Sequence, residues 1–227
     1  MIVFLFACSI VSNEKSSEMG AFENGWNQGV LTQIGSVSGS AFLVEADKNG
    51  ITLIDAGHSL SDNPMVAFIE DQGRSVEDVT KIFITHGHNS HVTGLPLCPN
   101  AAVYALSNEV AHLSTKGITI DVPLADGDVI ALGNSEIEVF ATSGHTEGNA
   151  AFRVDDLLIV GDTAIALSDG SVEAITGNAD DPVQASLSLE TLGDRLRQRE
   201  SEFSTTLFSH SGPLPGIEAI LDYRHNE

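Results

Sequence analysis

Short apolar runs alternate with polar, glycine-containing loops along most of the chain, and each run has the length of a strand. In the first half, the pattern predicts strands over residues 30–34, 41–45, 51–54, 82–84 and 101–105. In the second half, it predicts strands over 129–132, around Ile137 and Val139, and over 150–154, 157–160 and 206–208. Asn49-Gly50 suits the positive φ of a hairpin turn, so the second and third strands are expected to pair.

Two helices have recognisable start signals. Asn63 is a good N-cap and Pro64 suits the first helical position, which predicts a helix that ends at Gly73. Pro182 begins the longest predicted helix, which runs to about Arg199. Its predicted buried side consists of Leu187, Leu189, Leu192 and Leu196. Shorter helices are expected after Ser107 and over residues 217–223, so the pattern as a whole indicates an α+β protein.

Length and charge limit the kind of partner. With 227 residues and 42% hydrophobic content, the chain can form one globular domain with a sizeable core. Its formal charge of −22 arises from 32 acidic and 10 basic side chains. Such an acidic surface repels nucleic acids, whose phosphates are bound by Lys and Arg. The expected partner is a small-molecule substrate, and the oligomeric state is left open.

The N-terminus resembles part of an export signal. Residues 1–8 form an apolar run that is too short to span a bilayer, and Cys8 ends a lipobox-like sequence. Phe6 fits that pattern poorly, and no Lys or Arg precedes the run. The interpretation is a leader and polar tether over residues 1–24, a lipid on Cys8 and a single domain over 25–227. This predicts an exported lipoprotein or a periplasmic protein; the alternative is a cytoplasmic protein with an ordinary first strand.

Three of the eight His residues lie within the loop that follows the strand over 82–84. His86 and His88 alternate, so in an extended chain their side chains point to the same side. Gly87 allows the backbone to bend and bring both imidazoles to one ion. His91 lies further along the loop, where it can serve a neighbouring ion. Clustered imidazoles are common metal ligands, and zinc is the first candidate.

The loop resembles the His-x-His-x-Asp-His signature of the metallo-β-lactamase-fold hydrolases. The resemblance predicts three more ligands, and the chain supplies His145 in Gly144-His145-Thr146, Asp162 after the strand over 157–160, and His210 after the strand over 206–208. It covers about residues 25–223 and implies a four-layer αββα sandwich. It also implies that Asp55 supports the His loop from outside the ligand set. His58 is interpreted as a rim residue, and His112 is assigned no role.

The family ligands carry over by position to two metal sites. The first would consist of His86, His88 and His145, and the second of His91, His210 and the shared Asp162. Ser90 stands where the family has Asp, which removes an anionic ligand from the second site. We therefore expect one firm zinc site and one weak site, with Ser90 orienting the water through a neutral hydrogen bond.

The resemblance implies hydrolysis of an ester, lactone, thioester, amide or phosphoester by metal-activated water. Two alternatives remain open. One is a catalytically faded member of the fold that binds a metal or a ligand. The other is a mononuclear iron enzyme of the persulfide dioxygenase type that uses His86, His145 and Asp162.

Overall fold

The computed structural model describes residues 20–45 and 50–225 and contains two main β-sheets. The first sheet has seven strands in chain order: β1 (Trp26–Gln28), β2 (Leu31–Ser36), β3 (Gly39–Val44), β4 (Ile51–Ile54), β5 (Val79–Phe83), β6 (Ala102–Leu106) and β7 (Val122–Leu124). Strands β1 to β4 pair antiparallel, whereas β4 to β7 pair parallel. The parallel strands are joined by crossovers that carry helices on one face of the sheet.

The second sheet has six strands in the order β15-β14-β11-β10-β9-β8. Its strands are β8 (Val129–Leu132), β9 (Ser135–Ala141), β10 (Ala150–Val154), β11 (Leu157–Ile159), β14 (Thr205–Leu207) and β15 (Leu214–Pro215). A separate ribbon pairs β12 (Ile165–Ala166) with β13 (Val172–Glu173). Strands β9 and β11 both pair antiparallel with β10, and β14 is parallel to β11. The C-terminal ends of β9, β11 and β14 therefore lie at the same end of the sheet.

Three apolar cores separate four layers. The α-helices of the described residues are α1 (Pro64–Asp71), α2 (Asn89–Val92), α3 (Val110–Ser114), α4 (Pro182–Leu196) and α5 (Glu218–Asp222). The central core joins the two sheets and includes Phe42, Phe83 and Phe152. A second core packs α1, α2 and α3 on the first sheet, and a third packs α4 and α5 on the second. The order of layers is αββα, as the resemblance implied.

Each predicted strand and helix has a counterpart in the structure, with the largest departure on α4, whereas the short elements β1, β7, β12, β13, β15 and α2 were not predicted. Asn63 caps α1 by accepting a hydrogen bond from the N–H of Met65, and Pro64 occupies the first turn as expected. Helix α4 ends at Leu196 and continues as a 3₁₀ turn over Arg197–Glu202. Leu187, predicted to be buried, is 40% exposed. Ala185, Leu189, Leu192 and Leu196 follow the spacing of one helix face, and Leu187 lies off that face.

The lipidation of Cys8 and most of the predicted tether lie outside the described residues, as does Asn49 of the predicted hairpin turn. Residues 20–24 lie against the domain, where the N–H of Gly20 donates to the carbonyl of Ala166 at 2.9 Å. The division into a tether over residues 1–24 and a domain over 25–227 stays a prediction. Within the described ranges, no helix is long and apolar enough to cross a bilayer.

The strand directions bring the predicted ligands together. His145 follows β9, Asp162 follows β11 and His210 follows β14, so all three lie at the same end of the second sheet, beyond the C-termini of these strands. The loop after β5 of the first sheet carries His86, His88 and the beginning of α2 to the same end of the sandwich. Because each loop leaves a strand buried in the cores, the side chains it carries have a rigid base.

Candidate metal centre

The carboxylate of Asp162 lies between four imidazoles. Its Oδ2 is 3.4 Å from Nε2 of His145 and 3.7 Å from Nε2 of His86. Its Oδ1 is 3.2 Å from Nε2 of His210 and 3.3 Å from Nε2 of His91. The two oxygens thus face different pairs of imidazoles, which is the arrangement of a carboxylate shared between two neighbouring ions.

Three imidazoles form the first potential ligand group. One nitrogen from each of His86, His88 and His145 lies within 4.8 Å of the other two. Nδ1 of His88 is 3.0 Å from Nε2 of His145, so a proton between them joins the two rings. A metal ion that bound both nitrogens would take the place of that proton. This is the set of residues predicted for the firm site.

The second potential group differs in one member from the predicted set. The structure groups His91 and Asp162 with His86, and all three ligand atoms lie within 4.8 Å of one another. His210 approaches only the Asp162 side of this group, with its ring centroid 5.5 Å from that of His91. All six predicted ligands therefore meet in one pocket, but their division between two ions stays a prediction.

Asp55 supports the His loop as the resemblance implied. Nδ1 of His91 donates to Asp55 Oδ2 at 2.7 Å, which leaves Nε2 free to face Asp162. The hydroxyl of Thr85 also donates to Asp55 at 2.8 Å, and its oxygen lies 3.1 Å from Nδ1 of His86. Asp55 thereby fixes the orientation of two imidazoles, one directly and one through Thr85.

Backbone carbonyls orient two further imidazoles. Nδ1 of His145 donates to the carbonyl of Ile175 at 2.9 Å, and Nδ1 of His210 donates to that of Val37 at 2.8 Å. In both rings Nδ1 therefore carries a proton, and Nε2 faces Asp162. The Nδ1–H tautomer is the one required for metal binding through Nε2.

The pKa values of His86 and His88 are lowered, whereas those of His91 and His210 are raised, in His210 because burial is outweighed by hydrogen bonding to Asp162. Burial, and then the neighbouring His91, hold the pKa of His86 well below its usual value. Burial and His145 lower the pKa of His88 to about 4. Burial opposes protonation of His91 as well, but the carboxylates of Asp162 and Asp55 outweigh it and raise its pKa to about 10. Burial alone would raise the pKa of Asp162, whereas the facing imidazoles, His91 first, hold it well below its usual value.

Several buried polar atoms of the pocket lack a hydrogen-bond partner within the described residues. They are Nε2 of His86, Nε2 of His91 and Oδ1 of Asp162. Buried polar atoms are normally satisfied, so three unsatisfied atoms facing one another call for an additional group. A divalent cation fits because it would replace the proton on Nε2 of His91, and the donor set of imidazole and carboxylate suits zinc.

Ser90 lies at the edge of this pocket, where it lines the cleft together with Asp162 and His210. Its hydroxyl makes no hydrogen bond to the other described side chains or backbone, so it is free to contact solvent or substrate. The backbone of β3 packs tightly here, since a Cβ at Gly39 would lie 2.5 Å from the carbonyl oxygen of Ser90. The position of Ser90 is therefore fixed even though its hydroxyl is not.

A model of the metallo-beta-lactamase superfamily matches residues 34–210, which include every predicted ligand. The chain belongs to the metallo-β-lactamase superfamily. The family predicted from the His loop is thereby confirmed, and the departure at Ser90 is a feature of this member.

Curated relatives in this superfamily are hydrolases by name. A hydroxyacylglutathione hydrolase of Enterobacter sp. (strain 638) is 31% identical over 191 residues, covering 81% of this chain and 70% of that protein. One from Aliivibrio salmonicida (strain LFI1238) is 29% identical over 133 residues, covering 57% of this chain and 48% of that protein. The chain thus spans between 48% and 70% of the length of these two relatives. Their enzyme class agrees with the predicted class.

Solved structures of the superfamily share the fold. A superfamily protein from the archaeon Sulfolobus tokodaii has a TM-score of 0.62 at 19% identity, covering 86% of this chain and 85% of its own. A B3 metallo-β-lactamase described as the first with an active-site glutamic acid has a TM-score of 0.67 at 16% identity, covering 91% and 88%. The four-layer fold predicted from the resemblance is confirmed.

The metal pocket opens into a cleft of about 900 Å³. Val37, Ile165 and Ile175 give it apolar walls, and His88, His145, Asp162 and His210 lie on its polar side. Lys116 is the only Lys or Arg among the lining residues that the structure describes. The exposed His58 is not among these lining residues, and its interpretation as a rim residue stays a prediction.

Sequence reasoning missed two residues beside the ligands. His112, assigned no role, has its ring centroid 5.7 Å from that of His88, and its Nε2 lies 2.8 Å from Asp180. Glu109 is completely buried and accepts hydrogen bonds from two ligand-bearing loops. A Glu inside a short predicted helix gave no signal, because its burial depends on loops that are distant in sequence.

Proposed function

We propose that this chain is a zinc-dependent hydrolase that cleaves thioesters of the hydroxyacylglutathione class. The observation that carries the proposal is the meeting of five imidazoles and one carboxylate at the polar side of an open cleft, with unsatisfied buried polar atoms facing inward. The names of the curated relatives support the thioester class. The apolar walls of the cleft suit the acyl part of such a substrate.

The chain divides its ligands between two positions. His86, His88 and His145 would hold the first zinc, while His91 and His210 would hold the second, with Asp162 between them. When bound, zinc lowers the pKa of water toward 7 and polarises a carbonyl oxygen. Ser90 replaces a carboxylate by a neutral hydroxyl, so we expect the second position to bind its ion weakly.

The other residues of the site orient the metal ligands or bind the substrate. Asp55 and Thr85 fix the position of the His loop. The carbonyls of Ile175 and Val37 fix the orientation of the His145 and His210 rings. Ser90 lies where it can donate a hydrogen bond to the attacking water. The ammonium of Lys116 is placed to attract an anionic part of the substrate, such as a carboxylate, to a protein that is otherwise strongly acidic.

The test is a comparison of substrates with the metal content of the protein measured in parallel. Hydroxyacylglutathione thioesters, oxygen esters, lactones, β-lactams and phosphodiesters would be offered to the zinc-loaded protein and to His88→Ala. We expect the thioester to be hydrolysed with the highest kcat/KM and the variant to lose both zinc and activity. Preferred hydrolysis of another class would reject the thioester, and no hydrolysis of any class by the loaded protein would favour a faded, metal-binding member.

A mononuclear iron site is the second candidate. Asp162 Oδ2 lies 3.4 Å from His145 and 3.7 Å from His86, so one carboxylate and two imidazoles converge on one point. This is the ligand set of many non-haem iron oxygenases. Elemental analysis of protein purified without added metal, followed by oxygen-uptake measurements with glutathione persulfide, separates this candidate from the zinc hydrolase.

We further propose that the domain over residues 25–227 is exported and attached to a membrane through a lipid on Cys8. The support is the sequence of residues 1–24 alone. Intact-mass measurement of protein recovered from membrane and soluble fractions tests it. A Cys8→Ser variant should lose the lipid mass and the membrane fraction together, and a wild-type protein without added mass would reject the proposal.

A further inference from the structure

Glu109 is a completely buried carboxylate at the end of the 3₁₀ turn Ser107–Glu109, which follows β6. Its Oε1 accepts a hydrogen bond from the N–H of Gly87 at 2.6 Å. Its Oε2 accepts one from the hydroxyl of Thr146 at 2.7 Å and one from the N–H of Gly148 at 2.9 Å. No Lys or Arg of the described part of the chain pairs with it, so these three donors are what compensate its burial.

The three donors belong to the two loops that carry the first ligand group. Gly87 lies between His86 and His88, and its N–H belongs to the peptide that links it to His86. Thr146 and Gly148 are the first and third residues after His145. One side chain therefore joins the two separate segments that supply all three imidazoles of the first group.

Close packing leaves little freedom at this junction. A Cβ at Gly87 would lie 2.9 Å from Oε1 of Glu109, and a Cβ at Gly148 would lie 2.2 Å from the backbone nitrogen of Glu109. The loop of Gly148 therefore packs closely against the backbone of Glu109, and the loop of Gly87 packs closely against its carboxylate. The Thr of the Gly144-His145-Thr146 turn contributes its hydroxyl to the same carboxylate.

We propose that Glu109 is a positioning residue that sets the metal affinity of the three-imidazole site. It fixes the separation of the His86-His88 loop from the His145 turn, and its negative charge near that site favours a bound cation. On the opposite side of the metal pocket, Asp55 supports the His loop through contacts with Thr85 and His91. The inference rests on the proposed metal site, and it assigns Glu109 to the first ion, whereas Asp55 acts on His91 directly and on His86 through Thr85.

Glu109→Gln is the informative variant because it keeps the shape and removes the charge. Both carboxylate oxygens accept from N–H groups, so the NH₂ of Gln must face a donor on one side and lose at least one hydrogen bond. Outer partners of metal ligands typically change metal affinity by about 10- to 100-fold. We expect a loss of that size in the first equivalent of metal, with a much smaller change in the second.

The experiment titrates metal-free wild type, Glu109→Gln and Asp55→Asn with Zn²⁺ against a chelator, and with Co²⁺ followed by its visible absorption. Thermal unfolding of each metal-free protein is measured alongside. The expected result is weaker binding of the first equivalent in Glu109→Gln with little change in the second, and a loss in Asp55→Asn that includes the second equivalent. Relative to wild type, Glu109→Gln should show only a small decrease in the melting temperature of the metal-free protein. The increase in melting temperature that added metal produces should be reduced by a larger amount.

Two results would overturn the inference. One is unchanged affinity for both equivalents in Glu109→Gln. The other is an equal loss in both equivalents together with a matching loss of metal-free stability, which is what a purely structural role produces. If Glu109→Gln does not fold, Thr146→Val decides, since it removes one donor and should weaken the first equivalent alone; an unweakened first equivalent would reject the inference. If wild type itself binds no metal, the proposed function fails instead.

Discussion

Nδ1 of His91 and Oδ2 of Asp55 lie 2.7 Å apart, with both side chains completely buried. This hydrogen bond places the proton on Nδ1 and directs Nε2 toward Asp162, which lies 3.3 Å away. A buried carboxylate outside the ligand set thus determines which nitrogen of the imidazole can bind a metal ion.

Asp55→Ala should lower metal affinity by about 10- to 100-fold, because His91 and Thr85 lose their common acceptor. Equilibrium dialysis followed by elemental analysis measures the bound metal per chain. Glu70→Gln on α1 is the matched control, since its exposed carboxylate lies outside the pocket and should leave binding unchanged. Full metal content in Asp55→Ala would show that Asp55 does not orient the ligands.

Ser90→Asp should increase binding of the second metal ion, because it restores an anionic group where Ser90 lines the cleft beside Asp162 and His210. Calorimetric titration of the metal-free protein with Zn²⁺ gives the stoichiometry and both affinities. Ser90→Asn is the control, since it has nearly the shape of Asp without the charge and should behave like wild type. The same stoichiometry in wild type and Ser90→Asp would contradict a second site weakened by the missing carboxylate.

The fold and the ligand residues could be predicted because both leave local patterns. Strand β4 coincides with the predicted run over residues 51–54, and α1 begins at the predicted Pro64. The linear sequence shows the short separations between the imidazoles of the His loop. It also shows that His145, Asp162 and His210 each follow an apolar run. Helix α4 was less predictable, because the exposure of Leu187 depends on which face α5 and the second sheet cover.

Two of the supporting residues, unlike Asp55, could not be predicted in the same way. Glu109 and His112 acquire their contacts from Gly87, Thr146 and Asp180, which are far away in sequence. A carboxylate in a short helix usually faces solvent, and only the tertiary packing shows that this one is buried. The division of the ligands between two ions is equally nonlocal, since it depends on distances across four loops.

The pair of Glu138 on β9 and Arg199 after α4 should make stability depend on pH. Two hydrogen bonds of 2.8 Å join the guanidinium to the carboxylate. They hold the pKa of Glu138 below its usual value, with Arg199 as the main cause. Because the folded-state pKa is the lower one, the stabilisation is fully present above the unfolded-state pKa of about 4.3 and is lost as the pH falls through the folded-state value.

Glu138→Gln should therefore lower the free energy of unfolding of the metal-free protein by about 0.5–1 kcal/mol at pH 7, as expected for a partly exposed ion pair. Urea unfolding at pH 7 and at pH 3 measures the difference, which should shrink at the lower pH. Glu136→Gln is the control, since Glu136 lies on the same face of β9 and has an exposed side chain. An equal loss in both variants, or a loss independent of pH, would argue against the ion pair.

Lys116 should determine how well an anionic substrate binds, because it is the only Lys or Arg that lines the cleft in the described part of the chain. Lys116→Met should raise KM for a glutathione thioester by about five-fold and leave kcat nearly unchanged, since an exposed ion pair contributes up to about 1 kcal/mol. The KM difference should shrink at 0.5 M salt, because added salt screens exposed charges. Lys81→Met on β5 removes a positive charge that does not line the cleft and should leave KM unaltered. A five-fold increase in KM for an uncharged thioester as well would show that Lys116 acts by shaping the cleft and not by its charge.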